Sequence, residues 1–152
     1  MYIYKSLRTR RHTVECVKEA EFTLKKERIL EVRDVVNLAN GAPFYMNRLP
    51  NEEVLEVVLN SKGKVVGVIR VGIGSDDCCI ASVRNIVRNA LLLCGSSIVL
   101  VHNHPSGDPT PSADDIALTK HVKEGMECMS MKLADHVIIG DNYYSFGEKG
   151  TL

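Results

Sequence analysis

The chain has 152 residues, of which 45% are apolar and 25% charged, so it is long enough to bury one core and too apolar to stay disordered. Nineteen basic and nineteen acidic residues cancel, which removes a strong overall positive charge, the simplest electrostatic mark of a nucleic-acid binder. No apolar run approaches a membrane span, the N-terminus has no signal-type apolar segment, and Cys16, Cys78, Cys79, Cys94 and Cys128 form no C-x-x-C pair. These features exclude a zinc ribbon and a complete disulfide framework, and they predict a cytoplasmic protein in a reducing compartment.

In chain order, the basic run "KSLRTRRH", Lys5 to His12, reads as a solvated arm able to reach a phosphate or an acidic partner. "HTVECVKEAEFT" alternates Val14 and Cys16 against Glu15 and Val17, a pattern suited to a peripheral strand. In "ILEVRDVVNLAN", Ile29, Val32, Val35 or Val36, and Ala39 recur at helical spacing, and Gly41 with Pro43 stops the helix. "EEVLEVVLNSKGKVVGVIRVG" is two β-branched runs about Ser61 to Gly63, a hairpin. From Ala81 to Cys94 a second helix is predicted on Val83, Ile86 or Val87, Ala90 and Cys94, with Gly95 beyond it. "SSIVLVHNH" then reads as a central strand buried on both faces.

A third helix is predicted to begin at Ser112, with Ile116, Thr119, Val122 or Lys123, Met126 and Met129 facing inward. "KLADHVIIGD" and "NYYSFGE" complete the chain as two strands. The predicted order is β-α-β-β-α-β-α-β-β, an α/β fold with a mixed sheet flanked by helices. Residues 1–28 are expected to form an N-terminal arm and peripheral strand, and 29–152 the domain proper.

Open α/β sheets bind ligands beyond the carboxyl ends of their strands, and His102 and His104 stand at such an end. Residues two apart share a strand face, so both imidazoles can converge on one small cation. The stiff loop from Pro105 to Pro111 leads to Asp115 in the first turn of the next helix, which offers a third ligand. Two imidazoles and one carboxylate leave the fourth tetrahedral position open, as a catalytic zinc site requires. Read alone, Ser112-Ala113-Asp114-Asp115 is also an ordinary helix start, with Ser112 as N-cap and acidic residues favoured by the helix dipole. Asp108 in its Gly-Asp-Pro turn reads as turn geometry.

The spacing H-x-H, seven residues, S-x-x-D, carried by His102, His104, Ser112 and Asp115, resembles the JAMM (JAB/MPN) metallopeptidases. The fuller "HNHPSGDPTPSADDIALT", with "DHVIIGD" and "SFGEKG", is similar to the RadC branch of that family, once described as DNA repair proteins. The similarity runs from about Ile29 to the C-terminus, and the helix-hairpin-helix segment of full-length RadC proteins is expected to be missing. The resemblance implies a JAB/MPN domain like the cytidine deaminase fold, one Zn2+ per chain on His102, His104 and Asp115, and an upstream glutamate as general base. The matching position is Glu52, with Glu53 its nearest competitor; Glu52 is preferred because Val54 would continue its face. Asp135 and His136 match the RadC "DH" and are candidates to hydrogen-bond a ligand histidine. Arg84 also resembles a RadC arginine, although Asn85 stands where that branch usually has glutamate, and its role is unassigned.

The activity so implied is zinc-dependent hydrolysis of an amide bond in a peptide or protein conjugate. Glu52 would carry the proton, and the Ser112 hydroxyl would donate to the oxyanion. The alternative is a DNA-associated accessory protein of repair or mobile elements without hydrolytic activity. A nucleobase deaminase fails on its residues, because H-x-E with a following P-C-x-x-C is missing.

Overall fold

The computed structural model describes residues 1–8, 13–23, 27–73 and 81–152. The basic run beyond Arg8, with Arg10, Arg11 and His12, lies outside the described residues, as do Cys78 and Cys79. Cys94 and Cys128 are free thiols.

The strands are β1 (Tyr2–Arg8), β2 (Val14–Glu21), β3 (Glu53–Leu59), β4 (Val65–Ile73), β5 (Ser97–Asn103), β6 (Lys132–Ile139) and β7 (Tyr143–Ser145). They form one mixed sheet in the order β2-β1-β4-β3-β5-β6-β7. Helix α1 (Val32–Asn40) covers one face, and α2 (Val83–Leu92) and α3 (Ala113–Cys128) cover the other. The fold is α/β with a mixed sheet flanked by helices, as the sequence predicts.

Alternation along the central strands builds both cores at once. Leu55, Val57 and Leu59 of β3 and Val99 and Val101 of β5 pack with Val35, Leu38 and Ala39 of α1. Val54 and Val58, with Ile98 and Leu100, meet Ile86 and Ala90 of α2 and Val122 and Met126 of α3. Strand β5 pairs antiparallel with β3 and parallel with β6, so it is buried on both faces, as its apolar run requires. The β5-α3-β6 unit is a parallel crossover whose helix starts beside the carboxyl end of β5.

Two sequence expectations are corrected. Residues 2–8, where the basic run begins, form strand β1, which pairs with β2 along its length and with β4 through Ile3 and Tyr4. Ile3 enters the α1-side core, and the Tyr4 ring lies where a side chain at Gly67 would stand, with a Cβ there 2.7 Å from the ring. The charges hid a strand anchored by these two residues. On α3, Ile116 and Met129 are exposed rather than inward, while Thr119, Val122 and Met126 are buried. The inward position one turn before Thr119 belongs to Asp115, and Met129 follows the last helical residue.

Glu56 is fully buried on β3, between Val54 and Val58, where its Oε2 accepts a 3.1 Å hydrogen bond from Asn89 Nδ2 of α2. Burial pushes this carboxyl from 4.5 up to about 8, against the opposing pull of Asn89 and Arg88. Below pH 4.5 both folded and unfolded chains hold the proton; between 4.5 and 8 only the folded chain does, so raising the pH destabilises the fold. Glu56→Gln is therefore expected to gain on the order of 1–3 kcal/mol over the parent at pH 8 and little at pH 4.5. Urea unfolding at both values measures this, and an equal difference at the two pH values would contradict it.

Candidate metal centre

The pairing of Val54 with His102 places the His102 side chain on the α2/α3 face, one step beyond Leu100. His104 follows the end of β5, and its backbone N–H still donates to the Ile139 carbonyl, 2.8 Å away. Asp115 comes from the first turn of α3. There Ser112 and Asp115 form a reciprocal capping box. The Asp115 N–H donates to Ser112 Oγ at 3.1 Å, and the Ser112 N–H and hydroxyl both donate to Asp115 Oδ2, at 2.8 and 2.7 Å. The carboxylate is thus fixed by its own helix terminus.

The three side chains converge, with ligand atoms all within 4.8 Å of one another. His102 Nε2 lies 3.0 Å from His104 Nε2 and 3.1 Å from Asp115 Oδ1, and His104 Nε2 lies 3.4 Å from Asp115 Oδ2. Ligands of a tetrahedral ion with bonds of about 2.0–2.1 Å stand about 3.3 Å apart, so these separations suit a zinc-sized cation.

The outer nitrogens settle the protons. His104 Nδ1 is 2.7 Å from the Asp108 carbonyl, which only accepts, so this nitrogen carries hydrogen and Nε2 presents a lone pair. The Thr119 hydroxyl donates to the Asp115 carbonyl at 2.6 Å, so it must accept from His136 Nδ1 at 2.7 Å. Burial holds the His136 imidazole well below its ordinary value, and His102 adds to that effect. A neutral His136 protonated on Nδ1 accepts at Nε2 from His102 Nδ1, 2.8 Å away. When both rings are neutral, His102 Nε2, like His104 Nε2, is therefore a lone pair. Two lone pairs and a carboxylate facing one another form a donor set that lacks a positive charge, which is how these residues fit a metal ion.

A second proton, on His104 Nε2, would hydrogen-bond to Asp115, and this raises the His104 imidazole above its ordinary value, against burial and with help from the Asp108 carbonyl. Burial would raise Asp115 in turn, but His102, His104 and Ser112 together hold its carboxyl far below the usual range. In the metal-free chain a proton on His104 therefore competes with a cation, and metal affinity falls as the pH drops.

The remaining candidates differ in their surroundings. Glu52 stands just before β3, two residues ahead of Val54, which pairs with His102, and its charge acts on His104. Glu53 turns to the α1 side, where Oε2 lies 3.1 Å from Arg70 Nε and Arg70 stands over Phe44. Ser112 donates its hydroxyl to Asp115. Asp135 bonds to none of the imidazoles: its carboxylate accepts from the Ser145 hydroxyl, the Gly147 N–H and the His136 backbone N–H, at 2.6, 2.8 and 2.7 Å. That grip positions Phe146, which stacks on His136 at 5.1 Å. Asp108 contributes its backbone carbonyl, and its side chain accepts the Thr110 N–H of its turn. Arg84 is exposed on α2.

Sequence reasoning missed Thr119 and Asn103. Thr119 was read only as an apolar stripe position, although a hydroxyl in such a stripe needs a partner. A cleft of about 630 Å³ lies elsewhere, between the end of β2 and α1, whereas the cleft beside His104 holds about 70 Å³. The site is defined by its donor chemistry rather than by concavity.

A profile of the RadC-like JAB domain matches residues 29–151. The chain belongs to the RadC-like JAB domain family. It is 42% identical over 118 residues to a UPF0758 protein of Caldanaerobacter subterraneus, covering 77% of this chain and 49% of that one. It is 37% identical over 134 residues to a UPF0758 protein of Moorella thermoacetica, covering 88% and 57%. A UPF0758 protein of Clostridium beijerinckii is 42% identical over 127 residues, covering 82% and 54%. The chain thus spans about half the length of the curated relatives it matches. Among the described residues, no helix of this RadC-like domain is long and apolar enough to cross a membrane.

The relay through Thr119 gives a direct expectation. Thr119→Val keeps the shape but removes the acceptor for His136 Nδ1–H, which favours the tautomers that place hydrogen on His102 Nε2. Affinity for an added divalent cation, measured by competition with a chelator, should fall about 10–100-fold, while the metal-free chain keeps its fold by circular dichroism. Unchanged affinity would show that the relay does not set the His102 proton.

Proposed function

We propose that the domain is a zinc-dependent hydrolase of amide bonds, acting on a peptide or a protein conjugate. One observation carries this reading: two imidazoles and one carboxylate are held ready for a cation, the charge of Glu52 acts on one of them, and among the described residues the group has three members. A zinc ion held by His102, His104 and Asp115 would supply Lewis acidity, which activates water near neutral pH and polarises a scissile carbonyl.

The chain's own groups account for the rest. Glu52 takes the proton of the attacking water and returns it to the leaving amine. Asp108 and His136 keep hydrogen on the outer nitrogens of the ligand histidines, so both inner nitrogens stay free. Ser112 holds Asp115 in place, and its hydroxyl must leave Asp115 Oδ2 before it can donate to an oxyanion.

Glu52→Gln is expected to retain zinc and fold while losing about 10²–10⁴-fold in turnover, and Glu53→Gln to leave turnover near the parent's. Asp115→Asn weakens a ligand, so zinc content and activity fall together. The measurement is metal analysis of the purified chain together with a screen of peptides and isopeptide-linked conjugates. Retained turnover in both glutamate variants, with zinc still bound, would refute the proposed chemistry.

A further inference from the structure

The middle residue of the H-N-H triplet has no part in the donor set, yet it is 1% exposed and both ends of its side-chain amide are engaged. Asn103 Oδ1 accepts the Glu53 N–H at 2.9 Å, and Asn103 Nδ2 donates to the Asn51 carbonyl at 3.0 Å. The Asn51 carbonyl belongs to the peptide unit before the Glu52 Cα, and the Glu53 N–H to the unit after it. One amide therefore grips both peptide planes that flank Glu52.

The register explains why a side chain is needed. The β3–β5 ladder ends at the pair Val54 and His102. At the next step, opposite Asn103, the Glu53 N–H is taken by the Asn103 side chain rather than by a main-chain carbonyl of β5. Asn103 carries both a donor and an acceptor, as a peptide unit does, and extends the ladder by one more step. It also sits between the two ligand histidines, so the strand end that sets their positions sets Glu52 as well.

We infer that Asn103 is a positioning residue that couples Glu52 to the metal-ligand strand by clamping the two peptide units around it. The inference rests on the reading of Glu52 as the base for its consequence in chemistry, and on geometry alone for the clamp itself. Fixing φ and ψ at Glu52 fixes the direction of its Cα–Cβ bond, and hence where its carboxylate can reach. A general base must be held within hydrogen-bond distance of the proton it takes, so loosening the clamp scatters the base without removing a ligand.

The test uses Asn103→Ala and Asn103→Leu in the full chain. The leucine variant keeps the side-chain volume but neither hydrogen bond, and it remains informative where the alanine variant folds poorly. Amide hydrogen exchange in the metal-free chain is expected to quicken at least tenfold at Glu53 and to stay within about threefold at Val57 and Val99. Zinc affinity by chelator competition is expected to stay within about threefold of the parent. In Co2+-loaded protein, the pH midpoint of the visible spectrum should move toward that of Glu52→Gln, and adding Asn103→Leu to Glu52→Gln should move it no further. Parent-like exchange at Glu53 in the leucine variant would overturn the clamp. A spectral shift that adds fully to that of Glu52→Gln would overturn its action through Glu52. Failure of the hydrolase reading gives a different pattern: Glu52→Gln leaves the parent's spectrum unmoved and no peptide is cleaved, while exchange at Glu53 still decides the clamp.

Discussion

The 2.8 Å hydrogen bond between His102 Nδ1 and His136 Nε2 is the constraint on which the centre depends. It lies in the core, where an imidazole cannot exchange partners with water and must take the tautomer its neighbours dictate. Thr119 dictates it, because its single hydroxyl proton is committed to the Asp115 carbonyl. The chain of bonds thus leaves Asp115 through its backbone and returns to His102 through its ring. Donor groups on β5 and α3 share one arrangement of protons.

The layered fold supplies the rest from short-range rules. A parallel crossover sets the start of α3 beside the end of β5, and a serine cap holds the aspartate at the third helical position. His102 projects from a strand buried on both faces, whereas His104 leans on a loop carbonyl and is more exposed. The two imidazoles differ in their surroundings and agree in offering Nε2. Asp135 contributes at one remove: by gathering the Ser145–Gly147 turn it lays Phe146 flat on His136 and limits the ring's rotation.

Much of this was legible in the sequence where the signal was local. The β-branched hairpin of β3 and β4, the apolar run of β5 and the H-x-H, S-x-x-D spacing each depend on neighbours a few residues away. Strand β1 was not legible, because its anchoring residues Ile3 and Tyr4 meet partners on β4 that no local pattern reveals, and the charges that follow resemble a solvated arm. The inward face of α3 was misread at Ile116 for a related reason. Helical periodicity fixes the spacing of a stripe but not its phase, and here the site claimed the position for Asp115. "DH" drew attention to the right pair, but only the sheet register shows that His136 faces the centre while Asp135 faces the other way.

The meeting of Gly107 and Gly140 reaches further than its size suggests. Gly107 adopts φ +86°, its carbonyl accepts the Asp141 N–H at 2.7 Å, and a Cβ built on Gly140 would collide with that same carbonyl. The next residue, Asp108, supplies the carbonyl that holds His104 Nδ1. Any side chain at 140 must push this loop aside and tilt the carbonyl away from the imidazole. Tolerance to variation at the exit of β6 is therefore governed by the proton on a histidine far away in sequence, and selection acting on one position is felt at the other.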